Sequence, residues 1–210
     1  MTKTELFQIL AWRLGDRDDL SPRLETELNF VQDYVLEANA WLPWFLVTEE
    51  SEALLVAGER RLPLPTDFLS ELEESALWLE LADGTTEELP KGAFDVLARK
   101  YQGEGKPLAY SVQGEYFHLF PIPDLPYKVF MRYNQKDSRI TDEGTPSRWL
   151  KYCADLVLAE LGFVLAGKHI KDAGLAAAFQ ADAQASWKKL YDRHIAQQEI
   201  KQARSMGGNS

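Results

Sequence analysis

Apolar side chains recur at helical spacing towards both ends of the chain and at strand spacing in its middle. Leu6, Ile9, Leu10 and Leu14 share one helical face across Thr4 to Leu14, and Gly15-Asp16 ends the run. A second helix is expected from Ser21-Pro22, a cap followed by proline at the first helical position, with Leu24, Leu28, Val31, Val35 and Ala38 on one face. The polar link Asp16 to Leu20 is short enough to fold these two helices into an antiparallel pair. Thr145-Pro146 repeats the cap-then-proline device ahead of Trp149, Tyr152, Cys153, Leu156, Ala159 and Phe163. From Leu175 to about Arg204 neither proline nor glycine interrupts a stretch rich in Ala, Gln, Lys and Glu, which predicts a helix of roughly 45 Å. Its apolar positions Phe179, Trp187, Leu190, Tyr191 and Ile195 thin out, so the part beyond about Ala185 reads as an arm, with a flexible tail over 205–210.

The middle changes period. Strands are expected at Trp44 to Thr48, Ala53 to Ala57, Leu77 to Leu81, Leu108 to Val112, Tyr116 to Phe120 and Tyr127 to Tyr133. Gly58, Asp83-Gly84, Gln113-Gly114 and the prolines Pro121, Pro123 and Pro126 break them apart. One short helix interrupts them, because Phe94, Leu97, Ala98 and Tyr101 share a helical face. The fold class this predicts is α+β: a helical bundle of N-terminal and C-terminal helices, an inserted small antiparallel β-region and a long C-terminal helix. The expected domains are 1–40 with 146–204 for the bundle and 41–145 for the β-region.

Composition narrows the function classes. A hydrophobic content of 45% supports a packed core, and no apolar run approaches the roughly 20 residues that cross a bilayer. With no signal peptide visible and a lone Cys153, assembly in a reducing cytoplasm without a membrane is expected. The net charge of −10 opposes nucleic-acid binding. It is unevenly spread: residues 148–210 carry nine basic and six acidic side chains, the first 147 carry fourteen and twenty-seven. An acidic body thus bears a mildly basic tail, and Trp187, Lys188, Lys189, Tyr191, Arg193, Lys201 and Arg204 are the candidates for gripping a protein partner.

Candidate chemistry is sparse. His118, His169 and His194 lie far apart in sequence, none in a metal-ligand pattern, and Cys153 sits in an apolar helical stripe, so no metal or cofactor is expected. Neighbouring carboxylates such as Glu49-Glu50, Glu73-Glu74 and Glu87-Glu88 point to opposite faces of a strand and make poor catalytic dyads. Gly103-Glu104-Gly105-Lys106-Pro107 lacks the spacing of a phosphate loop. The aromatic run Trp41, Trp44 and Phe45 reads as packing between helix pair and sheet.

Ordered fragments give the chain a family likeness. These are Ala40-Trp41-Leu42-Pro43-Trp44-Phe45 after the first helices, Arg61-Leu62-Pro63-Leu64-Pro65-Thr66-Asp67-Phe68-Leu69, the stretch from Tyr110 through Gln113-Gly114 to Pro121-Ile122-Pro123-Asp124, and Thr145-Pro146-Ser147-Arg148-Trp149-Leu150. In order and spacing they make the sequence resemble the head-to-tail adaptors of tailed bacteriophages, the connector or tail accessory factors of podovirus type, over nearly its full length. It departs from that pattern at Tyr152-Cys153-Ala154-Asp155, where the family has a proline-containing segment. The resemblance implies a non-enzymatic virion protein of the neck, assembled in the host cytoplasm. It implies a ring of twelve copies below the portal protein that extends the DNA channel without binding DNA specifically and receives tail or nozzle proteins. Another neck ring, such as a tail terminator or completion protein, is the nearest alternative. A virion-associated wall hydrolase or an accessory DNA-binding protein is further off.

Overall fold

The computed structural model describes residues 1–39, 41–48, 50–72, 75–143 and 147–207, without the side chains of Asp18 and of 200–207. In chain order the elements are α1 (Lys3–Arg13), α2 (Ser21–Val31), β1 (Ser51–Leu54), β2 (Arg61–Pro63), β3 (Phe68–Glu71), β4 (Leu77–Glu80) and β5 (Thr86–Leu89). Then come α3 (Phe94–Lys100), β6 (Glu104–Gly105), β7 (Ala109–Gln113), β8 (Tyr116–Phe120), β9 (Ile122–Pro123), β10 (Lys128–Met131), β11 (Tyr133–Gln135), α4 (Arg148–Leu165) and α5 (Ala173–Gly207). The fold is α+β with antiparallel sheets and a long C-terminal helix. The chain divides into two compact units, Met1–Leu46 with Asp137–Ser210, and Val47–Lys136.

In the helical unit, α1 starts on a capping box: the Thr2 hydroxyl accepts from Glu5 N, and the Glu5 carboxylate accepts from Thr2 N at 2.8 Å. Helix α2 follows a single 3₁₀ turn, Asp18–Leu20, so Ser21 is its first helical residue rather than its cap. It stops at Val31, short of the expected Ala38, because the buried Gln32 side chain turns inward to give Glu37 Oε1 a hydrogen bond at 3.0 Å and accept one from Ile140 N at 3.3 Å. The backbone widens there to an i→i+5 turn, with Glu37 N on Gln32 O at 3.0 Å. Both α1 and α2 pack on α4, and Lys3 with Glu25 ties them to each other at 3.0 Å.

Helix α4 is capped by Ser147, which accepts from Trp149 N at 3.2 Å, while Asp137 accepts from Ser147 Oγ at 2.7 Å. The expected cap, Thr145-Pro146, lies outside the described residues. Cys153, at φ −151° and ψ 48°, breaks the helix within the segment that departs from the adaptor pattern. After Leu165 the backbone widens to a π-helical turn, Ala166–Ile170, which closes through Lys171 at φ 60°, and Asp172 then caps α5 by accepting from Leu175 N at 2.9 Å. Helices α4 and α5 approach closely at Gly162, where the buried Phe179 ring fills the space a β-carbon would need.

The β-unit is built of short sheets in the orders β1-β10-β4-β5, β2-β8-β7 and β11-β3, with a parallel pair of β6 and β9. The first two sheets face each other across one core: Leu77, Leu79 and Val129 from one meet Leu62, Phe117 and Leu119 from the other. Gly114, at φ +60°, starts the two-residue turn of the β7–β8 hairpin. Pro63 sits on the edge strand β2, where the absent N–H breaks no ladder. The strand predicted across Tyr127 to Tyr133 splits at Arg132, whose N–H bonds Ala76 O at 3.0 Å, and thereby serves two sheets. The strand predicted at Trp44 to Thr48 is a 3₁₀ turn, Trp44–Leu46, closed by Leu46 N on Pro43 O at 3.0 Å.

Candidate functional site

Helix α5 presents a stripe of buried side chains, Ala176, Phe179, Ala183 and Leu190, spaced three, four and seven residues apart. Trp187 fills the missing step. Its indole N–H donates to Glu160 Oε1 on α4 at 2.7 Å, and its ring meets Trp149 and Trp41 edge-on. Burial pushes the Glu160 carboxyl up, with the Trp187 hydrogen bond opposing. Trp41 also lies against Tyr191 at 5.4 Å and His194 at 5.0 Å. Phe45 packs on Trp149 and Tyr152, so within the helical unit the aromatic run of residues 41–45 packs on α4 and α5.

The packed part of α5 therefore reaches Ile195, which is half-buried, ten residues beyond the Ala185 boundary read from sequence. Residues 196–199 are exposed, and the helical backbone continues to Gly207, about 18 Å past Ile195 at 1.5 Å per residue. Residues 208–210, the rest of the expected tail, lie outside the described residues.

The candidate interface residues have four different settings. Trp187 is turned into the bundle, Tyr191 is half exposed against Trp41, and Arg193 reaches Tyr152 O at 3.3 Å. Lys188 is exposed and pairs with Asp192 one turn on at 2.9 Å. Lys189 lines a shallow cleft of about 230 Å³ with Arg13, Asp155 and Asp182. Lys201 and Arg204 are on the helix, but their side chains lie outside those described. Sequence spacing showed the stripe; it gave no sign that Glu160 would claim the Trp187 indole.

Burial and the carboxylates of Asp137 and Asp155, against Arg193, push the Cys153 thiol up to about 12, which keeps it un-ionised and a poor nucleophile. His118 lies against Phe94, His169 bonds the buried Glu27, and His194 meets Trp41. No cluster of three metal-ligating side chains occurs among the described residues, and no helix among them is long and apolar enough to cross a membrane.

The model of one protein family, described as SU10 adaptor protein, matches residues 1–210. The chain belongs to the SU10 adaptor protein family. This is the phage adaptor class that its ordered fragments resemble, and it makes the chain a structural protein of the phage neck. No curated protein matches it. In this adaptor, Arg61 to Leu69 forms the edge strand β2 and the start of β3, and Tyr110 to Phe120 forms the β7–β8 hairpin. Ser147 to Leu150 opens α4. The family-like fragments thus shape elements and turns; Ala40, Thr145 and Pro146 lie outside the described residues.

Proposed function

We propose that this adaptor assembles as a ring of identical copies, twelve as the resemblance implies, below the portal protein. There it extends the DNA channel and offers the platform on which the tail is built. The observation that carries this reading is α5: it is anchored in its own bundle through Trp187 and Leu190, is exposed over residues 196–199, and keeps a helical backbone on to Gly207. A helical extension beyond a packed anchor suits docking into a partner's groove. The mildly basic balance of residues 148–210 suits an acidic protein partner, and its cations, diluted by Asp192 and Glu199, are too sparse for a strong hold on DNA. The acidic remainder suits a passage that duplex DNA crosses without sticking. Cryo-electron microscopy of the virion neck tests the reading: one ring of density between portal and tail that accommodates the helical unit supports it, and a neck in which the adaptor occupies no ring overturns it.

A further inference from the structure

The two facing sheets of the β-unit have outer surfaces of opposite charge. On the sheet β2-β8-β7, Arg61, His118 and Ser111 form one cross-strand row and Pro63, Tyr116 and Gln113 the next, all on the side away from the shared core. Helix α3 covers one end of this face, laying Phe94 and Leu97 over Phe120 and Ala109. The other end is open. There the Arg61 guanidinium lies over the Tyr116 ring at 5.1 Å, while that of Arg60 lies over Phe120, at the end that α3 covers, at 4.8 Å. Neither arginine has a carboxylate within 4.0 Å among the described residues. Glu59 and Glu115 flank the face in adjoining turns.

On the sheet β1-β10-β4-β5 the outer rows are Glu52, Phe130, Trp78 and Glu88, and Leu54, Lys128, Glu80 and Thr86. Lys128 is its central cation and pairs with Glu52 at 3.0 Å, leaving Glu80 and Glu88 in excess beside the half-buried rings of Trp78 and Phe130. Leu54 is 65% exposed at the edge. The titrating groups report the same contrast. Burial and then the cations Arg61 and Arg60 hold the His118 imidazole below its ordinary value, against a backbone hydrogen bond at Gln113, whereas Glu52 first, then Glu80 and Glu50, raise Lys128.

We propose that the Arg60–Arg61–Tyr116 face of one copy docks on the Glu80–Glu88–Trp78 face of the next, a head-to-tail contact between β-units. Arginines on aromatic rings against carboxylates beside aromatic rings are the composition of a specific interface. Because the two faces lie on opposite sides of one sandwich, each copy offers both halves, and repetition of such a heterologous contact builds a ring or a filament rather than a closed pair. This deepens the ring reading above and rests on it.

The test is charge-swap complementation of the full chain on purified portal rings, read by native mass spectrometry, with circular dichroism and thermal melts confirming that the variants fold. One variant carries Arg60→Glu with Arg61→Glu, the other Glu80→Arg with Glu88→Arg. Each alone is expected to lose ring completion by roughly tenfold or more, because like charges then face each other. An equal mixture regains it, because the altered faces are again complementary. Gln113→Cys and Thr86→Cys in the otherwise unmodified chain, joined by a bis-maleimide, should give a ladder of oligomers and supply a readout that needs no charge reversal. Variants that complete rings unaided, or a mixture that fails while each variant is folded, overturn this contact and leave the ring standing. An unmodified chain that forms no oligomer on portal rings overturns both.

Discussion

The indole N–H of Trp187 reaches across 2.7 Å to the Glu160 carboxylate, joining the middle of the C-terminal helix to the helix before it. The helix is packed up to Ile195, and residues 196–199 beyond it are exposed, so the proposed docking arm starts there. Two truncations separate these roles. Ending the chain after Ala185 removes Trp187 and the buried Leu190. It should cost at least the 2–5 kcal/mol typical of one buried leucine, or roughly 5–15 °C in Tm. Ending it after Ile195 should leave Tm within about 2 °C and abolish portal binding. Calorimetry with a portal pull-down checks both; a chain ending at Ile195 that still binds portal normally contradicts the role given to the arm.

The approach of α4 to α5 depends on the absence of a side chain at Gly162. A β-carbon there would lie 2.3 Å from the Phe179 ring, which is fully buried under the Arg13 guanidinium. Gly162→Ala should destabilise the chain by about 1–3 kcal/mol or more. Adding Phe179→Leu should recover part of the loss. Chemical denaturation of the single and double variants measures this, and additive losses would show that the two positions do not share the space.

Two buried carboxylates should respond to pH with opposite signs. Burial raises Glu37, assisted by Asp137 and Asp33 and opposed by bonds from Gln32 and Asp137 N, so it favours the proton more in the folded chain than in the unfolded one. Its ionisation therefore lowers stability as pH rises through its folded value. Glu37→Gln should raise Tm at pH 7, and that gain should vanish well below the ordinary carboxyl range. For Glu27 burial is outweighed by the bonds from Lys168 at 2.7 Å and His169 at 2.8 Å, and its pKa is lowered. It supplies stability above the ordinary carboxyl range that is lost as pH falls through its folded value. Glu27→Gln should cost about 1.5–3 kcal/mol at pH 7 and progressively less in acid. Melting curves from pH 3 to pH 8 distinguish the two, and parallel profiles would contradict the assignment.

Much of the helical unit was legible because a 3.6-residue period survives tertiary packing: Leu6 and Leu10, Leu28 and Val31, and Phe179 and Leu190 are all buried. The strand predicted at Tyr116 to Phe120 has those same bounds, since alternation and the Gly114 turn agree. What escaped was decided by partners distant in sequence. Trp44 and Phe45 have strand-forming side chains, but Pro43 sets a 3₁₀ turn and their rings pack on α4. Strand β5 reads Thr-Glu-Glu-Leu and buries only Leu89, so alternation gives it almost no signal. Of the candidate interface, the basic character was visible, whereas the inward turn of Trp187 depended on Glu160, 27 residues away.

The acidic body implies that duplex DNA finds no hold. At physiological salt, affinity for a random duplex should be weaker than the roughly 10⁻⁴–10⁻⁶ M typical of non-specific DNA-binding proteins. Fluorescence anisotropy across a salt series checks it. A submicromolar, salt-sensitive Kd would oppose a passive channel.

Mixing the purified chain with isolated portal rings and weighing the product by native mass spectrometry decides whether this adaptor builds a ring on the portal. One discrete complex is expected, a portal ring carrying a complete ring of adaptor subunits. Bare portal rings beside free monomers, at concentrations well above micromolar, would contradict it.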